Sequence, residues 1–112
     1  MIIDIQARNF SLTKALRSYA ERRLSLALNS GKHHIHRVII RLSDINGPRG
    51  GADKKCHLQI MLGGLPSVVI EDTEIDLYKA IDRATERAGN TMERRIGRQQ
   101  TLSRHSRNLS AA

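Results

Sequence analysis

Lys79, Arg83 and Arg87 recur at every fourth residue in the stretch DLYKAIDRATERAGNTMERRIGR, residues 76–98, and on a helix that spacing stacks three positive charges in one column. Like charges at i,i+4 repel by roughly 0.2–0.5 kcal/mol per pair, so folding alone does not favour the column, whereas a polyanionic partner does. Arg94 and Arg98 extend the basic stripe, and Arg17, Arg22 and Arg23 add positive charge on an earlier segment of helical character. Glu86 and Glu93 are the only acids between Arg83 and Arg107. A helix face built for solubility mixes both signs, so the pattern assigns these side chains to phosphate contacts. Read along the helix alone, the column is exposed, and its removal is expected to leave stability unchanged.

Net charge agrees with this. At +8 on 112 residues, the chain suits nucleic acid or an anionic membrane surface, and composition does not choose between them. No run approaches the roughly 20 apolar residues of a membrane span. The start MIIDIQARNF carries an acid where a signal peptide is basic and then apolar, which points to a cytoplasmic protein. Phe10, Tyr19 and Tyr78 are the only aromatics, too few for the stacking platforms of single-strand readers. Arginine forks suit phosphates and structured RNA.

No catalytic group emerges beside the basic surface. Cys56 cannot form an internal disulfide or a cysteine-rich zinc site alone, and it reads as a reduced thiol in the core. Neighbouring Cys56 and His57 point to opposite faces of a strand and cannot pair as thiolate and base. His33, His34 and His36 lack accompanying carboxylates and read as a solvated turn. The expectation is a non-enzyme with no metal, cofactor or small-molecule substrate. GPRG formally matches the GxxG clamp of KH domains, but here it joins two strands rather than two helices. Arg49, Lys54 and Lys55 make the connection either a basic RNA-binding finger or a plain mobile link, and the sequence leaves both open.

The elements that must position these residues follow from periodicity. Ile3, Ile5 and Ala7 alternate with polar residues as a first strand, and SLTKALRSYAERRLSLALNS follows as a helix capped by Thr13 and ended near Gly31. HRVIIRLSD, KKCHLQIMLG and SVVIEDT are three further strands, the first two joined by the glycine-rich INGPRGGA. Thr73 and Asp76 approximate a capping box for the second helix, whose apolar stripe comprises Leu77, Ala80, Ile81, Ala84, Ala88, Met92 and Ile96. Gly89-Asn90 is expected to weaken that helix, at about 1 kcal/mol for the glycine. The order β-α-β-β-β-α predicts an α+β two-layer sandwich over residues 1–98, a four-stranded sheet with both helices on one face. A basic polar tail, residues 99–112, is expected to be flexible.

The segments IDIQARNFSLTKALRSYAERRLS and VVIEDTEIDLYKAIDRATERAGNTMERRI resemble the ribosome hibernation-promoting and ribosome-associated inhibitor family, some members of which are labelled sigma-factor modulators. The D-L-Y-x-A-I-D run before a basic helix is the most specific element. The resemblance implies a fold akin to double-stranded RNA-binding domains and binding to the RNA of the small ribosomal subunit where messenger and transfer RNA lie. It implies translational silencing by occupancy under stress or in stationary phase. Arg17, Arg23, Arg87 and Arg94 fall on positions usually basic in that family, while Arg22, Lys79, Arg83 and Arg98 come from the basic surface itself. Departures are the enlarged NGPRGGADKKC loop, Leu26 in place of a usual lysine, and Ala84, Ala88 and Gly89-Asn90 in place of bulkier residues. The second domain by which long members pair ribosomes has no counterpart in these residues. A competing reading, a regulator acting by protein contact on transcription machinery, does not call for phosphate-spaced arginines.

Overall fold

A computed structural model describes residues 2–45 and 53–111, with side chains to residue 99. Strand β1 spans Ile2–Arg8, helix α1 Lys14–Leu28, a 3-10 turn Asn29–His34, β2 Ile35–Asp44, β3 Lys54–Leu62, β4 Val68–Glu74 and α2 Leu77–Ala111. The sheet order is β1-β2-β3-β4. β1 runs parallel to β2 because α1 carries the chain back across the sheet, and β2, β3 and β4 form an antiparallel meander. The α+β expectation is met, with a mixed sheet.

Period-2 alternation decides which face is dry. Val38, Ile40 and Leu42 of β2 stand in register with Ile60, Leu58 and Cys56 of β3, all fully buried. Leu16, Ala20, Leu24 and Leu28 of α1 and Ala80, Ile81, Ala84, Ala88, Met92 and Ile96 of α2 close one continuous core with them. Both helices therefore cover the same sheet face. Thr85 also lies inside this stripe, its hydroxyl donating to the Ile81 carbonyl at 2.8 Å, so a polar residue sits in the core at no cost in unsatisfied bonds.

Thr13 caps α1 as expected, its Oγ1 accepting from the Leu16 amide at 3.1 Å. At α2 the expected Thr73 box gives way to Asp76, whose Oδ1 accepts from the Tyr78 amide at 2.8 Å, because Thr73 is still paired within β4. Gly31 does not terminate α1 as a cap. It is buried in the 3-10 turn, where a Cβ would lie 2.7 Å from the Met92 methyl and 2.9 Å from Ile96 Cδ1.

The expected weak point at Gly89-Asn90 is absent: α2 passes through it unbroken. A Cβ at Gly89 would sit 2.8 Å from the Ala27 carbonyl oxygen, so the missing side chain lets the two helices approach closely. The backbone of residues 99–111 continues α2. No glycine or proline follows Gly97, and extending an existing helix costs far less than nucleating one.

Candidate nucleic-acid interface

Residues advance about 100° around a helix. On α2 that phase places Arg83, Arg94, Arg87 and Arg98 within a band about 60° wide, on the flank turned away from α1 and towards β4. All four are exposed. Lys79, also exposed, lies about 40° outside the band, near Glu86.

The column is not electrostatically bare. Arg83 pairs with Glu74, and Arg87 NH1 stands 2.6 Å from Asp72 Oδ1 and 3.3 Å from the Glu71 carbonyl. Arg95, two turns further on, donates to the Pro66 and Ser67 carbonyls at 2.9 and 2.5 Å. Successive arginines thus stitch α2 along β4. The expectation that the column could be removed without effect on stability is corrected here, because its counter-ions come from another element and are invisible along the helix. Asp72 and Glu74 are 15% and 20% exposed, against 54% and 66% for Arg87 and Arg83, so the carboxylates sit beneath forks whose outer nitrogens still face water. Among the described residues, Lys79, Arg94 and Arg98 have no carboxylate partner; Arg94 reaches only the Thr91 hydroxyl, at 3.4 Å.

The first-helix arginines do not form one patch with this band. Arg23 Nε lies 3.0 Å from Asp82 Oδ1 in the α1–α2 seam, where the Tyr19 hydroxyl donates to the same oxygen at 2.5 Å. That hydrogen bond, followed by burial, raises the Tyr19 pKa above its ordinary value. Arg22 lies over the Tyr19 ring at 5.9 Å, and the Tyr19 and Tyr78 rings meet edge to face at 4.8 Å. Tyr78 and Asp82 of the DLYKAID run therefore fasten the two helices. Arg17 projects about 140° around α1 from Arg22. Between the seam and the α2 band stand Glu86 and Glu93, lining with Arg23 and Leu26 a hollow of about 250 Å³.

The proposed basic finger divides. Lys54 and Lys55 point to opposite faces of β3: Lys54 Nζ lies 2.9 Å from Asp44 and 3.1 Å from Asp53, while Lys55 lies 3.1 Å from Glu71. Lys54 is only 21% exposed and its ammonium is taken up by carboxylates at the end of the sheet. Arg49 lies outside the described residues. Cys56 is buried, and burial, with Asp72 nearby, pushes its thiol pKa up to about 12, which leaves it a core residue. Among the described residues no group of three or more His, Cys, Asp or Glu is placed to hold a metal ion, and no helix is long and apolar enough to cross a membrane. Sequence reading missed Arg8 and Arg41, which share the uncovered face of the sheet; the alternation of β1 and β2 carries that signal once their register is known.

The family model described as "Sigma 54 modulation protein / S30EA ribosomal protein" matches residues 3–100. Among solved structures, the Protein Y N-terminal domain of Thermus thermophilus is similar with a TM-score of 0.69 at 28% identity, over 84% of this chain and 98% of that one. A ribosomal subunit interface protein from Coxiella burnetii gives a TM-score of 0.72 at 19% identity, over 84% and 96% of the two chains, a likeness of fold. A comparison with curated protein sequences found no match.

Proposed function

The chain belongs to the sigma 54 modulation protein / S30EA ribosomal protein family, and from that premise we propose that it binds the small ribosomal subunit through ribosomal RNA in the messenger and transfer RNA path. Occupancy of that path silences translation in stress or stationary phase without any chemical step. The observation that carries this reading is the four-arginine band on α2, in which Arg94 and Arg98 have no carboxylate among the described residues while Arg83 and Arg87 keep outward-facing nitrogens. Arginine forks match phosphate oxygens bidentately and stay charged at every physiological pH. The α2–β4 stitching holds two of them in fixed orientation, which lowers the entropy lost on binding.

Arg22 and Arg23 present a second, smaller basic group across the hollow lined by Glu86 and Glu93, and Arg17 a third. Three separated groups suit a groove with several RNA strands better than one duplex face. Contact with transcription machinery, suggested by the other half of the family description, does not require such spacing.

Co-sedimentation with small subunits tests the reading. Wild-type protein pellets with the subunit, and the affinity falls with salt at a log–log slope near −4 or steeper if about 5 phosphates are neutralised. Arg94→Glu with Arg98→Glu abolishes pelleting. A flat salt response, or full binding by that variant, contradicts the assignment.

A further inference from the structure

The uncovered face of the sheet carries an arginine pair that folding does not explain. On this face Asp4 lies 3.4 Å from Arg37, and Glu71 takes both Lys55 at 3.1 Å and His57 at 3.0 Å. Arg8 and Arg41 have no carboxylate partner among the described residues, and both are exposed. Register sets them side by side: Gln6 stands opposite Arg41 and Arg8 opposite Ser43, so the two guanidinium groups are diagonal neighbours across β1 and β2. Diagonal neighbours lie within reach of long side chains, and two positive charges in that relation gain nothing from each other. On α2 the same puzzle was answered by Asp72 and Glu74; here no acid answers it.

The two arginines, with Gln6 and Ser43, line a hollow of about 300 Å³ whose remaining wall is Ala7 and Leu42. Arg41 Nε donates to Gln6 Oε1 at 3.1 Å, which holds the fork by its inner nitrogen and leaves both terminal nitrogens for a ligand. Leu42 is fully buried towards the core, so the hollow offers no apolar socket for a peptide side chain. Two forks and a hydroxyl over a polar floor instead fit the oxygens of a phosphodiester.

We infer that the Arg8–Arg41 hollow is a second RNA-backbone site, on the sheet face opposite the helices, so that the domain is held between two RNA segments. The inference rests on the ribosome-binding reading and adds to it the contact on the domain's other side. One-sided binding through α2 leaves these arginines in water. Two-sided binding makes them part of the affinity.

Arg8→Ala with Arg41→Ala, and the matching pair of lysine variants, are titrated against small subunits across a salt series, with thermal midpoints measured alongside. The alanine pair binds about tenfold or more weakly, with a log–log salt slope shallower by about 1.4–1.8, the value for two lost phosphate contacts. The lysine pair restores the slope, and midpoints stay close to wild type. In a second experiment a benzophenone side chain at position 55, next to Ser43 in register, crosslinks to ribosomal RNA on irradiation of the complex. Unchanged affinity and slope in the alanine pair, with wild type still bound, overturns the second site and spares the proposed function. Crosslinks to ribosomal protein alone, or none, assign the face to another partner or to solvent and overturn it too. Failure of the wild type to bind subunits defeats both.

Discussion

Arg87 on α2 and Asp72 on β4 stand 2.6 Å apart, the carboxylate 15% exposed and the guanidinium 54%. Their unequal burial makes the pair asymmetric. Removing Arg87 strands a carboxylate whose Oδ2 already lacks a hydrogen-bond partner, whereas removing Asp72 leaves a guanidinium that water can solvate. Arg87→Ala is therefore expected to lower the thermal midpoint more than Asp72→Ala, by about 4 °C or more. The double variant recovers part of that loss. Equal effects of the two single variants, measured by calorimetry, would contradict this asymmetry.

Gly89→Ala tests the helix seam. Alanine is the better helix former by about 1 kcal/mol, so on an isolated helix the change stabilises. Here the added Cβ meets the Ala27 carbonyl oxygen at 2.8 Å, a backbone atom that cannot rotate away. Net destabilisation of about 1–3 kcal/mol in urea titration is the expected result. A stabilised variant would mean that α1 slides without cost.

Cys56 sets a pH dependence. Burial raises its thiol pKa from the ordinary 9.0 to about 12, so the folded state holds the neutral thiol where the unfolded state loses its proton. The stabilisation is complete below pH 9 and fades as pH rises from about 9 to 12, at up to about 1.4 kcal/mol per pH unit. Comparison of wild type with Cys56→Ala isolates this one group, since other titrating residues are common to both. Parallel stability curves above pH 9 would place the thiol in water. The same burial predicts that thiol reagents modify Cys56 only on unfolding.

Much of the fold was legible because the core strands alternate cleanly and α2 keeps a long apolar stripe that only Thr85 interrupts. The helix caps and the site were less so, for reasons of register. Asp72 and Glu74 lie in plain view in the sequence, yet nothing local shows that they stand beneath Arg87 and Arg83, fifteen and nine residues away. Tyr78 and Asp82 look like ordinary members of a helix until Tyr19 and Arg23 arrive from α1. Gly89 carries the same lesson: a helix-breaking residue by propensity is a packing residue once Ala27 is beside it. The Arg8–Arg41 pair escaped because β1 and β2 are parallel and joined through α1, so their pairing is not the hairpin that sequence adjacency suggests.

The central claim is that this domain occupies the messenger and transfer RNA path of the small subunit, and competition tests it most directly. Binding is measured at one salt concentration to empty small subunits, to subunits loaded beforehand with messenger and transfer RNA, and to a plain RNA duplex. Backbone contacts alone carry no preference among RNAs, whereas several separated arginine groups engaging one groove raise the effective concentration of each contact. The account predicts affinity for empty subunits about 100-fold or more above that for the duplex, and loss of binding to loaded subunits. Equal affinity for all three would contradict it.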